Sequence, residues 1–179
     1  MILFDEYFQK IYNFCLNALY SFKKEKADTT ISTLALYCNP FCGIITINFD
    51  TAYNSENLVK YHQTHDSIWY GEDKAGTFND NCPDFEFSDY ARLEIPEWQN
   101  EFAKNDIINI KYRLVKKQVD LSKVNEEVLH KVFFDYLKDI FDKVLTDKVI
   151  HELKKSNPFR IGIQIANSED FLQYWLFND

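Results

Sequence analysis

The chain has 179 residues, a formal net charge of -8, 46% hydrophobic residues and 17% aromatics. That length suits one domain, and so much apolar material excludes a disordered chain. The negative balance repels nucleic-acid phosphates and anionic lipids, and the short lysine clusters (Lys23, Lys24 and Lys26; Lys116 and Lys117; Lys154 and Lys155) read as solvated helix ends.

Residues 3 to 24 read as one amphipathic helix, because Phe4, Phe8, Ile11, Cys15, Leu19 and Phe22 recur at spacings of three and four. Two strands follow, Ile31 to Tyr37 and Gly43 to Phe49, joined by the turn residues Cys38-Asn39-Pro40-Phe41-Cys42 as a hairpin. In the second strand Ile45, Ile47 and Phe49 share one face and oppose Thr46 and Asn48. Asn54 or Ser55 is expected to cap a short helix running to about His65.

The segment 66–101 is the least regular. It holds the apolar patch Ile68-Trp69-Tyr70, an alternating stretch Asp84-Phe85-Glu86-Phe87 that suits a half-buried strand, and Ile95-Pro96-Glu97-Trp98, where Pro96 suits the first position of a helix. Residues 107–115 are apolar but ambiguous between helix and strand. From 122 to 145 a long helix is predicted, capped by Ser122, with a stripe of Leu129, Phe133, Leu137, Ile140 and Val144. A short helix to Lys155 follows, then a break at Asn157-Pro158 and a strand from Phe159 to Ile165. Ser168 is expected to cap a last helix carrying Phe171, Leu172, Trp175 and Leu176. Without repeats or linkers, this pattern predicts a single α+β domain over 1–179, with a mainly antiparallel sheet packed against long helices at the N-terminus and in the C-terminal half.

Motifs for common chemistry are missing. There is no G-x-S-x-G or H-E-x-x-H, and glycines only at 43, 71, 76 and 162 cannot build a phosphate loop or a dinucleotide fingerprint. Cys38, Cys42 and Cys82 with His62 or His65 form a conceivable ligand set, but C-x3-C in a proline-containing turn departs from zinc-knuckle spacing. Asp80, Asp84 and Glu86 resemble half of a calcium loop, yet its sixth and twelfth positions are Phe85 and Ala91. No catalytic residue, metal or cofactor is therefore assigned. The first residues, Met1 to Glu6, lack a cationic leader, and no run reaches the ~18 apolar residues of a membrane span. A cytoplasmic location and reduced thiols at Cys15, Cys38, Cys42 and Cys82 are expected.

Charge is unevenly placed. Nine acids fall between Glu72 and Glu101 against only Lys74 and Arg92, so this segment carries -7 of the total -8. Aromatics are interleaved with the acids. Such a segment suits a basic protein partner, with charge steering the encounter and aromatics supplying affinity. The predicted contacts are Asp80, Asp84, Glu86, Asp89, Glu94 and Glu97, with Phe85, Tyr90 and Trp98 as anchors.

The opening helix, the strand Leu34-Ala35-Leu36-Tyr37, the Ile68-Trp69-Tyr70 patch and the Glu97-Trp98 pair resemble an uncharacterised bacterial family of short proteins, known only as a domain of unknown function. Small acidic proteins of this kind resemble immunity proteins. That resemblance implies a cytoplasmic inhibitor that masks a basic toxin or enzyme. Two competing readings are a hydrolase of unfamiliar type, using His62 or His65 with a carboxylate or Cys82, and a structural homodimer.

Overall fold

The computed structural model describes residues 1–65, 81–113, 115–121, 126–166 and 171–177. A two-residue strand, β1 (Ile2–Leu3), leads into helix α1 (Phe4–Glu25). Phe4, Ile11, Cys15, Leu19 and Phe22 are all buried along one side of α1, as their spacing requires. Asp5 and Glu6 occupy its first turn and Lys23 and Lys24 its last, so both ends complement the helix dipole.

Strands β2 (Ile31–Asn39) and β3 (Ile44–Asp50) form the expected hairpin. Gly43 closes the turn at φ +62°, and its carbonyl accepts a hydrogen bond from Ile95 N at 2.7 Å. A Cβ at this position would lie 2.2 Å from the Ile95 carbonyl oxygen. Gly43→Ala therefore combines a left-handed backbone with a backbone clash, and it should cost at least about 2 kcal/mol in urea unfolding.

Helix α2 (Ala52–His65) starts earlier than expected. Asn54 and Ser55 do not cap it. Thr51 does, its Oγ1 accepting from Asn54 N at 3.2 Å, because Asn54 and Ser55 turn their side chains back to Asp50. After a short 3-10 turn at Cys82–Asp84 come β4 (Phe87–Glu94) and helix α3 (Pro96–Lys104), with Pro96 in its first turn. The ambiguous stretch is a β-hairpin, β5 (Ile107–Tyr112) and β6 (Val115–Asp120). Helix α4 (Glu126–Leu145) buries its whole expected stripe. Helix α5 (Lys148–Glu152) is capped by Asp147, which accepts from Val149 N. Ser122 and Ser168, as expected caps, and the patch 68–70 lie outside the described residues.

The last two strands are β7 (Lys155–Ile165) and β8 (Phe171–Phe177). The expectation of a terminal helix was wrong: β8 pairs antiparallel with β7, placing Phe177 opposite Phe159 and Trp175 opposite Ile161. Six of its seven residues are apolar or aromatic, so the run has no helical face to read, and aromatic residues favour a strand once a partner edge is present.

Two sheets result. The larger has the order β4-β3-β2-β7-β8, with only β2 and β7 parallel; the smaller has the order β1-β5-β6, with β1 and β5 parallel. Leu34, Leu36, Ile45, Ile47, Ile161 and Ile163 project from one face of the larger sheet into a core shared with α1 and α4. The same core takes in Ile108, Ile110 and Val119 of the smaller sheet and Trp98 of α3, so both sheets and the helices form one α+β unit. No described helix is long and apolar enough to cross a membrane.

The opposite face of the larger sheet is polar and mostly buried. Register places Asp50, Thr33 and Arg160 in one row across β3, β2 and β7, and Thr46, Tyr37 and Gln164 in another. Arg160 Nε donates to Thr33 Oγ1 at 2.9 Å, and Gln164 Oε1 accepts from Cys82 N at 2.9 Å. Such groups stay inside only when hydrogen-bonded, and the Cys82–Asp84 turn is thereby tied to the sheet.

Candidate protein-binding surface

From Asn81 on, the acid-rich segment crosses this polar face and then becomes β4, an edge strand among the described residues. Asp50 holds the crossing in place. Its buried carboxylate accepts from Ser55 Oγ, from Asn54 Nδ2 at 2.8 Å and from Glu86 N at 3.1 Å, while Asn54 Nδ2 also donates to the Asp84 carbonyl. Thr51 Oγ1 donates to the Glu86 carboxylate. Burial pushes the Asp50 carboxyl above the usual carboxylate range, and the bonds from Ser55, Glu86 N and Asn54 offset this only in part.

This clamp points Asp84 and Glu86 into solvent. Beyond them Asp89, Glu94 and Glu97 are also exposed, so all five described acids of the expected contact set face solvent, and Asp84 to Glu94 follow the chain through β4 as an acidic strip. Asp80 lies outside the described residues. Arg92 is the lone cation in the strip among the described residues; its Nε bonds Glu94 at 3.1 Å and its Nη1 lies 3.8 Å from Asp89. Among the described residues β4 has a partner strand only on its β3 side.

The expected aromatic anchors need correcting. Trp98 is 0% exposed, packed against Phe4, Tyr7 and Phe133, and Phe85 is buried against Ala35 and Cys82. Neither reaches the surface, because a large ring gains more from the core than an isolated protein surface can offer it. Phe85 and Phe87 also do not share a face as their alternation suggested. Phe85 packs on the polar side of the sheet, whereas Phe87 meets Phe22 on the helix side, since the chain rounds the sheet edge between them.

Tyr90 is half-buried. Its ring meets Phe22 and Phe49, and its hydroxyl donates to Glu25 Oε2 at 2.9 Å. Burial, reinforced by Glu25, pushes its phenol up to about 12. Tyr90 also lines an open groove of about 610 Å³ between α1 and β4, with Asn13, Asn17 and Glu25. One expected anchor of three thus stands where a partner can touch it.

A smaller cavity was missed by the sequence reading. It has a volume of about 290 Å³ and lies between the polar sheet face and the Cys82–Pro83 turn, lined by Tyr37, Thr46, Asn48, Ser88 and Asp89. Register between β3 and β4 slips here, and Asp89 takes φ +48° with its N–H donating to Asn48 Oδ1 at 2.7 Å. Thr46 and Asn48 bond each other through Oγ1 and Nδ2 at 3.0 Å. Burial raises the Tyr37 phenol, and nearby thiols add to the effect. The one signal in the sequence was the polar alternation of Thr46 and Asn48 within an otherwise apolar strand.

For the hydrolase reading, Cys82 is 1% exposed, and Cys38 lies in the main core on the other face of the sheet from Cys82. The side chains of His62 and His65 lie outside the described residues. No family model, curated protein or solved structure matches the chain.

Proposed function

We propose that this chain is a cytoplasmic protein-binding module whose acidic strip takes a basic protein partner, in the manner of an immunity-type inhibitor masking a basic toxin or enzyme. The observation that carries this reading is the sorting of side chains between Asp84 and Glu97. Every described acid faces solvent, while Phe85, Ile95 and Trp98 turn inward. A clamped, predominantly acidic strip along β4, whose far side has no partner strand among the described residues, offers a basic surface long-range steering and a fixed docking register. Tyr90 and the groove beside α1 supply contact area at its side.

The test is capture of a basic partner from a native bacterial lysate, followed by association kinetics with the purified pair. Replacing Asp84, Glu86 and Glu94 together by Lys should slow association about 10-fold or more at low salt. The difference should shrink as salt shortens the screening length, and thermal unfolding of each protein separates a lost contact surface from the loss of the Thr51–Glu86 and Arg92–Glu94 bonds. Equal association rates for the two proteins at low salt would refute the strip as the contact surface.

A further inference from the structure

The small cavity behind Asp89 says how such a partner is gripped. We propose that it receives a single basic side chain, an arginine guanidinium above all, as the anchor of the acidic strip; this rests on the basic-partner reading. Asp89 lies between Glu86 and Glu94 in the strip, so the cavity opens within the negative surface. Among the described residues, no Lys or Arg lines it.

Its chemistry matches a guanidinium, a planar cation with five donors that asks for several acceptors at once. The Asp89 carboxylate supplies the charge, and the hydroxyls of Tyr37 and Ser88 supply further acceptors. Thr46 and Asn48 are each 1% exposed and bonded to one another, so the floor is rigid before any ligand arrives. The Asp89 backbone is held by Asn48 in the left-handed region, which aims its side chain from a fixed point. Such an unfavourable backbone, kept by a specific hydrogen bond, is the kind of strain that marks binding sites. Among the described residues Arg92 is the competing cation nearby, but its Nε is engaged by Glu94 and its contact with Asp89 is long at 3.8 Å.

The test uses Nα-acetyl-arginine amide, its uncharged citrulline counterpart and a nona-arginine peptide, each titrated into the full chain and followed by NMR shifts. The arginine amide should shift the Tyr37 ring and the amides of Thr46, Asn48, Ser88 and Asp89, and the citrulline amide should not. Asp89→Asn removes the charge while keeping a residue type that tolerates a positive φ, and it should weaken arginine-amide binding about 5-fold or more. Arg92→Ala should strengthen it about 2-fold by removing the competitor.

Equal binding of arginine and citrulline amides, or no effect of Asp89→Asn, overturns the pocket. If nona-arginine then still binds and shifts residues along β4, the basic-partner reading stands without the pocket. If nona-arginine also fails to bind at low salt, both fall.

Discussion

Replacing Trp98 by Ala should destabilise the fold by about 3–5 kcal/mol. Trp98 is the largest fully buried side chain among the described residues and sits where α3, α1 and α4 meet. Its ring centroid lies 5.1 Å from Phe133 and 5.6 Å from both Phe4 and Tyr7, and Phe4 itself stacks on Tyr136 at 4.0 Å. Truncation opens a cavity at the centre of this cluster, and the surrounding rings, held on α1 and α4, cannot collapse into it. Trp98→Phe should lose far less, since Nε1 has no hydrogen-bond partner among the described residues and no described polar group loses one. Urea unfolding separates the outcomes. A near-wild-type midpoint for Trp98→Ala, with weakened partner binding, would return Trp98 to the surface role its acidic neighbours suggested.

Asp50→Ala should cost about 3 kcal/mol and loosen the strip as well. It removes the acceptor that Ser55 Oγ, Asn54 Nδ2 and Glu86 N share, and with it the tie between the sheet and the Asp84–Glu86 crossing. Hydrogen exchange at Glu86 should rise in the variant, whereas exchange within β2 should rise only with global unfolding. The pH dependence has a definite sign. Burial raises the folded-state pKa of Asp50 above its unfolded value, so over that interval the folded chain holds the extra proton. The Asp50 contribution to stability therefore falls as pH rises from the ordinary carboxylate range through the folded value, and is constant above it. In Asp50→Asn this slope should be absent. A wild-type stability that rises over the same interval relative to Asp50→Asn would contradict the assignment.

Much of the architecture was legible because it is local. α1 and α4 carry apolar stripes long enough to declare a period, and the Asn39-Pro40 turn between two β-branched runs announced the β2–β3 hairpin. β8 was not legible, since a seven-residue apolar run declares no period and its identity comes from β7. The cap of helix α2 falls at Thr51, ahead of the expected Asn54 or Ser55, because those two residues, good caps in isolation, are claimed by Asp50.

The site divides the same way. Exposure of Asp84, Glu86, Asp89, Glu94 and Glu97 follows from the cost of burying unpaired charge and needs no fold. The fates of Phe85, Phe87, Tyr90 and Trp98 depend on which side of a sheet edge the chain passes, and composition carries no record of that. Nor does it reveal the cavity behind Asp89, whose walls come from β2, β3, β4 and the turn at Cys82.

The most direct test of the central claim is amide chemical-shift mapping of the full chain with the nona-arginine peptide at low salt. The account predicts the largest shifts at Asp84, Glu86, Asp89, Tyr90 and Glu94, fading as salt is raised. Shifts confined to other surfaces, such as the lysine-bearing β5–β6 hairpin, or no shifts at any salt, would contradict it.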